Sequence, residues 1–484
     1  MKEYKHGAYV QEVGTSIATP RKNEAGLHVI FGTSPVNMAA EPGKAVNQLI
    51  MVSSYEEAVE KLGYSEDYEK YTLCQAMDAY LKLFLVGPIV LCNVLDPAKH
   101  KKENEEKEYE VIDGQVTVDA KGILPDTVVV KKESEDTALE KDADYITSFD
   151  ADGNLIITLL FETSDVKKVR VKSSSIDPEM VTEGDLIGGV DVKTGKETGF
   201  ELIRRVYPRC GKFPGLILAP GWSHKKSVAA VMAAKCKEIN GTFRCECLID
   251  IDTEAAGTYT DCAEEKEKNG FTSECMITLW PMALASGRKF YYSAIYGAMT
   301  AQTDADNDSV PTVSPSNKLL GVDGAVLKDG TEIYLDQPEA NALNAEGIVT
   351  MLNNEGMRSW GNNTAAYPYV TDTKDRWINC RRAFSWWGNT FIAICHEEVD
   401  DPANYRLIES IVDAENIRGN SYVQQGKFAG IRMEYDKEEN KVEDLLEGKI
   451  QVRQYIAPFT PAEYILNILA FDPSLLENSL GGSK

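Results

Sequence analysis

Histidine is scarce in this 484-residue chain, with residues only at positions 6, 28, 100, 224 and 396, so a catalytic triad would have few candidates for its base. Long apolar runs are missing too. None approaches the roughly 18 residues that cross a bilayer, and the opening MKEYKHGAYV lacks the apolar core of a signal peptide, so a cytosolic protein without membrane insertion is expected. Basic residues are in deficit, 51 against 76 acidic ones, and a net charge of -25 argues against general nucleic-acid binding, which needs a basic face. There is no Gly-x-x-x-x-Gly-Lys loop to cradle phosphates and no Gly-x-Ser-x-Gly elbow to present a nucleophile, so neither an ATP-driven motor nor that type of hydrolase is supported. The ten cysteines have irregular spacings and sit mostly in apolar stretches, which favours buried reduced thiols over disulfides.

What is present is a rhythm that changes three times. Residues 27–31 (LHVIF) read as a buried strand. Ser54 to Glu57 has capping-box spacing for a helix that Gly63 ends, and Leu73, Met77, Tyr80, Leu81 and Phe84 share the face of a second helix leading into the strand IVLCNVL. From about 101 a charge run (KHKKENEEKEYE) gives way to alternating β-branched segments separated by turn signals, with no helical period until about 200. The α/β pattern then resumes, with strands at 216–219, 243–251 and 274–280 and helices at 225–239 and near 258–269. Strand-helix-strand order implies a largely parallel sheet covered by helices.

The expected fold class is therefore an α/β core split by an inserted mostly-β domain, followed by an α+β C-terminal domain. The boundaries read as 1–22 for an N-terminal extended arm, 23–100 and 201–365 for the two parts of the core, and 101–200 for the insertion. Residues 366–459 form the C-terminal domain and 460–484 a C-terminal arm. Phe428 to Tyr435 alternates, placing Ile431 and Met433 on one face, and Lys449 to Ile456 alternates likewise through Ile450 and Val452, as in a hairpin. Tyr464 to Phe471 is almost wholly apolar and reads as a strand covered on both faces. The first segment, Gly7 to Val13, is also β-competent. Apolar strands at both ends are an aggregation hazard unless another chain's sheet edge receives them, so Ala8, Tyr9, Val10 and Val13 at one end and Tyr464, Ile465, Leu466 and Ile468 at the other are candidates for inter-subunit strand exchange with the hairpin residues.

At this point a family resemblance enters. The run Tyr4-x-His6-Gly7-Ala8-Tyr9-Val10-x-Glu12-Val13-x-Thr15-Ser16 resembles the start of phage tail sheath proteins. Further similar pieces follow in order: Val29 to Thr33, the Ser53 to Leu62 helix, Pro315-Ser316-Asn317-Lys318, Glu339-Ala340-Asn341-x-Leu343-Asn344, Trp360-Gly361-Asn362-Asn363-Thr364, Trp377 to Arg382, Tyr455-Ile456-Ala457-Pro458 and Pro461-Ala462-Glu463-Tyr464-Ile465. Asn362 stands where the family commonly has Arg. The resemblance implies a core related in topology to subtilisin without its chemistry, an outward inserted domain and a tube-proximal C-terminal domain. It also implies a structural subunit with no cofactor, polymerising helically in hexameric rings around the inner tail tube protein and contracting to drive that tube through a cell envelope. Baseplate and tail terminator proteins are the further implied partners, and the virion tail, or a headless particle such as a tailocin, assembled in the bacterial host cytoplasm, is the implied location. Arg376, Arg381 and Arg382 form a basic group in an acidic chain and are expected to face the tube, against the plainer reading of a helix with one solvated basic face.

Rival chemistry is weakly supported. Ser223-His224 sits at a strand-to-helix turn, but adjacent side chains do not generally point at one another. Asp304-x-Asp306-Asn307-Asp308 opens like a calcium loop but lacks the turn glycine and the closing glutamate. Asp250 and Asp252 are more simply a loop rim than a magnesium site, and Cys245-Glu246-Cys247 is too close for a zinc knuckle and reads as a thiol pair on one strand face.

Overall fold

The computed structural model describes residues 21–479, apart from 23, 134, 151–152 and 165. Its first half opens with β1 (Leu27–Gly32), in which every side chain is buried because parallel strands flank it on both sides. After β2 (Ile50–Val52), α1 (Tyr55–Leu62) starts at Ser54, whose side chain accepts the Glu57 N–H. The return bond of the expected box goes one residue further, from the Ser53 N–H to Glu57 at 2.9 Å. Gly63 ends the helix at φ +72°, and a Cβ there would lie 2.2 Å from the Pro35 carbonyl oxygen. α2 (Thr72–Asp78) runs on through a π-turn at Ala79–Leu83 and, with β3 (Ile89–Asn93), buries Leu73, Met77, Tyr80, Leu81 and Phe84 as the spacing predicts.

The insertion supplies β4 (Lys101–Glu110), β5 (Gln115–Val118), β6 (Val129–Lys132), β7 (Tyr145–Phe149), β8 (Leu155–Leu159) and β9 (Lys168–Ile176). They form two three-stranded antiparallel sheets, β4-β9-β6 and β5-β8-β7, around a separate apolar cluster that includes Val116, Val130, Tyr145, Ile157 and Val169. Two sequence expectations change here. The charge run is itself a strand: Arg170 meets Glu106 at 3.0 Å and Lys168 meets Glu108 at 3.4 Å across the β4–β9 pair, so its charges are matched by a partner remote in sequence. The stretch from Ile176 to Phe200 contains a short helix (Glu183–Ile187), and Ile176, Val181, Leu186 and Phe200 belong to the main core, where Phe200 meets Phe31 edge-on at 4.8 Å.

The second half adds β10 (Pro214–Leu218), α3 (Lys226–Lys237), β11 (Glu246–Asp250), α4 (Cys262–Asn269), β12 (Met276–Leu279), α5 (Tyr292–Asp306), α6 (Gln337–Ala345), β13 (Ile348–Asn353) and β14 (Met357–Trp360). Among the described residues the main sheet has eight strands in the order β14-β13-β12-β11-β10-β1-β3-β2, parallel from β13 to β3 with antiparallel edges. From β1 in mid-sheet the chain thus winds out to one edge, leaves for the insertion, and returns to the other side of β1. The molecule is a mixed α/β protein with one large mixed sheet and small antiparallel sheets. All ten cysteines are free thiols, and Cys245 Sγ lies 3.6 Å from Cys236 Sγ, so the strand-face thiol reading holds.

The chain closes with α7 (Ile378–Cys395), α8 (Tyr405–Gln424), β15 (Phe428–Glu434) and β16 (Arg453–Pro458). β15 and β16 make the expected antiparallel pair, but a short helix (Val442–Leu446) lies between them and the second strand begins only at Arg453, so Ile450 and Val452 are half-buried just before it. The insertion enters and leaves through neighbouring strands, with Lys102 opposite Ser175. Replacing 103–174 by a short Gly/Ser linker should therefore keep a cooperative thermal transition, whereas replacing 101–200 should abolish it by removing Leu186 and Phe200 from the core; differential scanning calorimetry of the two variants distinguishes these outcomes.

Candidate assembly site

The crevice where a ligand would sit in an open α/β sheet is the switch point beside β1, beyond its carboxyl end. Here it is filled. The Thr33 N–H donates to Thr72 Oγ1 at 3.2 Å, and Cβ atoms added at Gly32 or Gly221 would fall 2.3 Å and 2.8 Å from the Thr72 side chain. Nearby, Ser223 is fully buried and donates to Asp250 Oδ2 at 2.9 Å, while the Ser293 N–H and hydroxyl bind the same carboxylate at 2.8 and 2.5 Å. Burial pushes the Asp250 carboxyl up to about 6 against the pull of these donors. His224 does not complete a triad: its ring stacks on Tyr291 with centroids 6.0 Å apart, and burial lowers its pKa. Ser223, Asp250 and Ser293 tie two strand ends to α5. Asp304, the first residue of the loop considered for calcium, is buried against Arg382, and among the described residues no group of three or more His, Cys, Asp or Glu is placed to hold a metal.

The basic group departs from expectation. Arg382 is 4% exposed and makes a two-pronged pair with Asp304, from Nη1 to Oδ1 at 3.0 Å and from Nη2 to Oδ2, so it binds α7 to α5 and presents no surface to a partner. Arg381 is nearly buried, pairing with Asp375 at 2.8 Å and lying 3.8 Å from Glu246. Arg376 stays partly exposed: its guanidinium lies over Trp377 and Tyr367, 4.0 and 4.4 Å from the ring centroids, and Nε donates to Asn363 at 2.9 Å. Arg382 and Arg381 thus turn towards carboxylates of their own chain, Asp304 for one and Asp375 and Glu246 for the other, and of the three arginines expected to face the tube Arg376 keeps the most open surface. Further along α7, Trp386 and Trp387 pack with Tyr422 and Phe428, joining the hairpin to the body.

Ile431 and Met433 are also turned inward. Ile431 lies under α8, where a Cβ at Gly419 would be 2.6 Å from its Cγ2, so these side chains serve the chain's own packing and only the hairpin's backbone edges remain for exchange. Among the described residues β15 and β16 pair only with each other, a two-stranded sheet that is marginal alone. Beyond β16, Tyr464 to Phe471 is not a strand: Tyr464, Ile465, Leu466, Ile468, Leu469 and Phe471 are each exposed, Leu469 by 87%. Ala8, Tyr9, Val10 and Val13 lie outside the described residues.

Sequence reasoning missed how the motifs meet. Ser316 and Asn317, Asn341 and Asn344, Trp360, Asn362 and Asn363, and Pro461 to Tyr464, all quoted for the family resemblance but without a role, line one cleft of about 750 Å³ from which the C-terminal arm departs. Glu463 is met there by Asn362 Nδ2 at 3.3 Å and Arg376 Nη2 at 3.4 Å, so Arg376 provides the cation and Asn362 a neutral donor where the family commonly has Arg. Arg382→Met should destabilise the chain by about 3–5 kcal/mol in urea unfolding because Asp304 is left buried without a counter-charge, and adding Asp304→Leu should recover most of the loss.

No family model matches the chain. It is similar to the tail sheath protein of Burkholderia phage BcepMu, 24% identical over 469 residues and covering 94% of each chain. The major tail sheath protein of Serratia phage KSP20 is 25% identical over 333 residues, 65% of this chain and 79% of that one, and the tail sheath protein of Escherichia phage P2 is 24% identical over 307 residues, 61% and 73%. In fold the chain is similar to a chain of the anti-feeding prophage baseplate (TM-score 0.59, 14% identity, 96% and 98% covered) and to a chain of the extracellular contractile injection system PVC sheath complex in its contracted state (TM-score 0.57, 15% identity, 98% and 99% covered). Sequence motifs and full-length similarity agree in likening the chain to phage tail sheath proteins, and its fold is shared with chains of contractile injection systems.

Proposed function

We propose that this chain is the structural sheath subunit of a contractile tail or injection particle, polymerising helically around an inner tube, contracting to drive that tube through an envelope, and linked to its neighbours by exchanged terminal strands. The observation that carries the linkage is the pairing of an exposed apolar segment with an unfinished sheet. Among the described residues Tyr464 to Phe471 has no partner strand, and β15–β16 is a sheet of two strands. Burying each large apolar side chain contributes roughly 1.5–3 kcal/mol, so an arm laid against a neighbour's hairpin gains both side-chain burial and main-chain hydrogen bonds. Such a link tolerates rotation and sliding of the bodies, which contraction requires. The parallel run entered at β1 and wound out both ways fits the inferred subtilisin-related topology, and the filled switch point fits a structural role without catalysis.

The partners are other copies of the chain in hexameric rings, a tube protein on the C-terminal side, and baseplate and terminator proteins at the ends. A headless injection particle is the second reading, favoured by the similarity to the anti-feeding prophage and PVC chains; a neighbouring capsid gene would decide for a phage. Removing residues 460–484 should leave a folded chain by circular dichroism that no longer sediments as polymer, and normal sheaths in negative stain from that variant would sink the exchange.

A further inference from the structure

An exposed apolar arm has an obvious competitor to assembly: its own body. Six large side chains between Tyr464 and Phe471 face solvent, and folding back onto any nearby apolar surface would bury them without a second chain. What opposes this must act at the arm's root, because the segment itself makes no strand pair among the described residues. The root is held at successive points. β16 ends at Pro458, the Phe459 carbonyl accepts from Asn379 Nδ2 at 2.9 Å, and Asn379 also binds the Thr312 carbonyl at 2.9 Å, so this residue ties the root to the core. Pro461 restricts the residue before it to extended conformations. Two residues on, the Glu463 carboxylate is gripped from two sides, with Oε1 facing Asn362 and Oε2 facing Arg376.

Arg376 is prepared for that role. Two aromatic rings and the Asn363 side-chain amide oxygen fix its guanidinium, so little side-chain freedom remains to be lost when Glu463 arrives. The pair is nevertheless wet and long, at 3.4 Å with side chains 25% and 37% exposed, which makes it weak and reversible. A root that yields suits an arm that must stay attached to a neighbour while bodies move.

We propose that Glu463 is a positioning residue: held between Arg376 and Asn362, it sets the direction in which the C-terminal arm leaves the body, presenting residues 464–471 to a second copy of the chain instead of to their own. The proposal rests on the strand-exchange reading above, and its test has two independent readouts. The first is the distance between nitroxides at Tyr369→Cys and Ser474→Cys in the full-length chain with Cys210 and Cys395 changed to serine, measured on monomer isolated before assembly. The second is the critical concentration for polymer formation, read by sedimentation.

Glu463→Lys and Arg376→Glu should each broaden the distance distribution and raise the critical concentration about tenfold, equivalent to ~1.4 kcal/mol. The double variant Glu463→Lys with Arg376→Glu should narrow the distribution again and bring assembly back to within about threefold of the parent, an effect that loss of a merely structural contact would not reverse. Glu463→Gln keeps an acceptor for only one of the two donors and turns its amide NH2 towards the other, without reversing the charge, so it should fall between parent and reversal, and it serves as the decisive variant if either reversal fails to fold. An unchanged distance distribution in both Glu463→Lys and Glu463→Gln, or a folded double variant that stays as impaired as the singles, would overturn the proposal. A parent chain that forms no polymer would defeat the exchange reading alone, because the distance measurement still reports whether Glu463 directs the arm.

Discussion

The arrangement depends on a buried ion pair. Asp304 closes the last turn of α5, which lies beneath the main sheet, and Arg382 projects from α7, which carries everything on the C-terminal side. Neither charge is tolerable in that interior alone, so each requires the other, and the two helices are held in one relative placement. From α7 the constraint spreads. Trp386 and Trp387 hold α8 and β15, Ser385 donates to Glu246 at the start of β11 at 2.6 Å, and Asn379 holds the start of the arm. The half-finished hairpin and the apolar arm are thereby offered at fixed positions on a rigid body.

The fold's natural ligand position is closed by packing as well. In open parallel sheets the switch point stays hollow when something binds there. Here Thr72 closes it, and the Gly32 and Gly221 positions leave no room for larger side chains. The polar groups that survive nearby, Ser223, Asp250 and Ser293, satisfy one another and fasten β10, β11 and α5. A Ser-His dipeptide in such a place looks suggestive in a sequence, yet its serine is inside and its histidine is stacked flat on Tyr291.

Much of this was legible in the sequence wherever a local period governs structure. The largely apolar strands β1 and β3, the Ser54–Gly63 helix and the β15–β16 pair follow from patterning and capping alone. Features fixed by distant partners were not. A decapeptide of mixed charge carries no sign of a strand until β9 supplies opposite charges, and nothing local says that Leu186 belongs to the main core while Val169 belongs to another. Arg382 failed as a surface residue for the same reason. Its counter-charge lies 78 positions away, in a stretch that reads as a solvated loop. The cleft at the arm's root was half legible: its residues stood out as motifs, but only folding brings Asn362, Arg376 and Glu463 together.

The acidic composition bears on the same arm. A net charge of -25 keeps unassembled copies apart, so an apolar segment this exposed is shielded from random pairing by repulsion between whole molecules, acting over roughly a Debye length. The proposed strand exchange would have to bring such bodies together, and salt would then have two opposed effects. It screens the general repulsion and favours contact, while it loosens the half-exposed Glu463–Arg376 pair that aims the arm. The first effect acts on every encounter and the second only on encounters by the right route. Salt should therefore shift the balance from ordered exchange towards unselective association, which follows from placing a weak, wet ion pair, and not a buried one, at the root of the chain's stickiest segment.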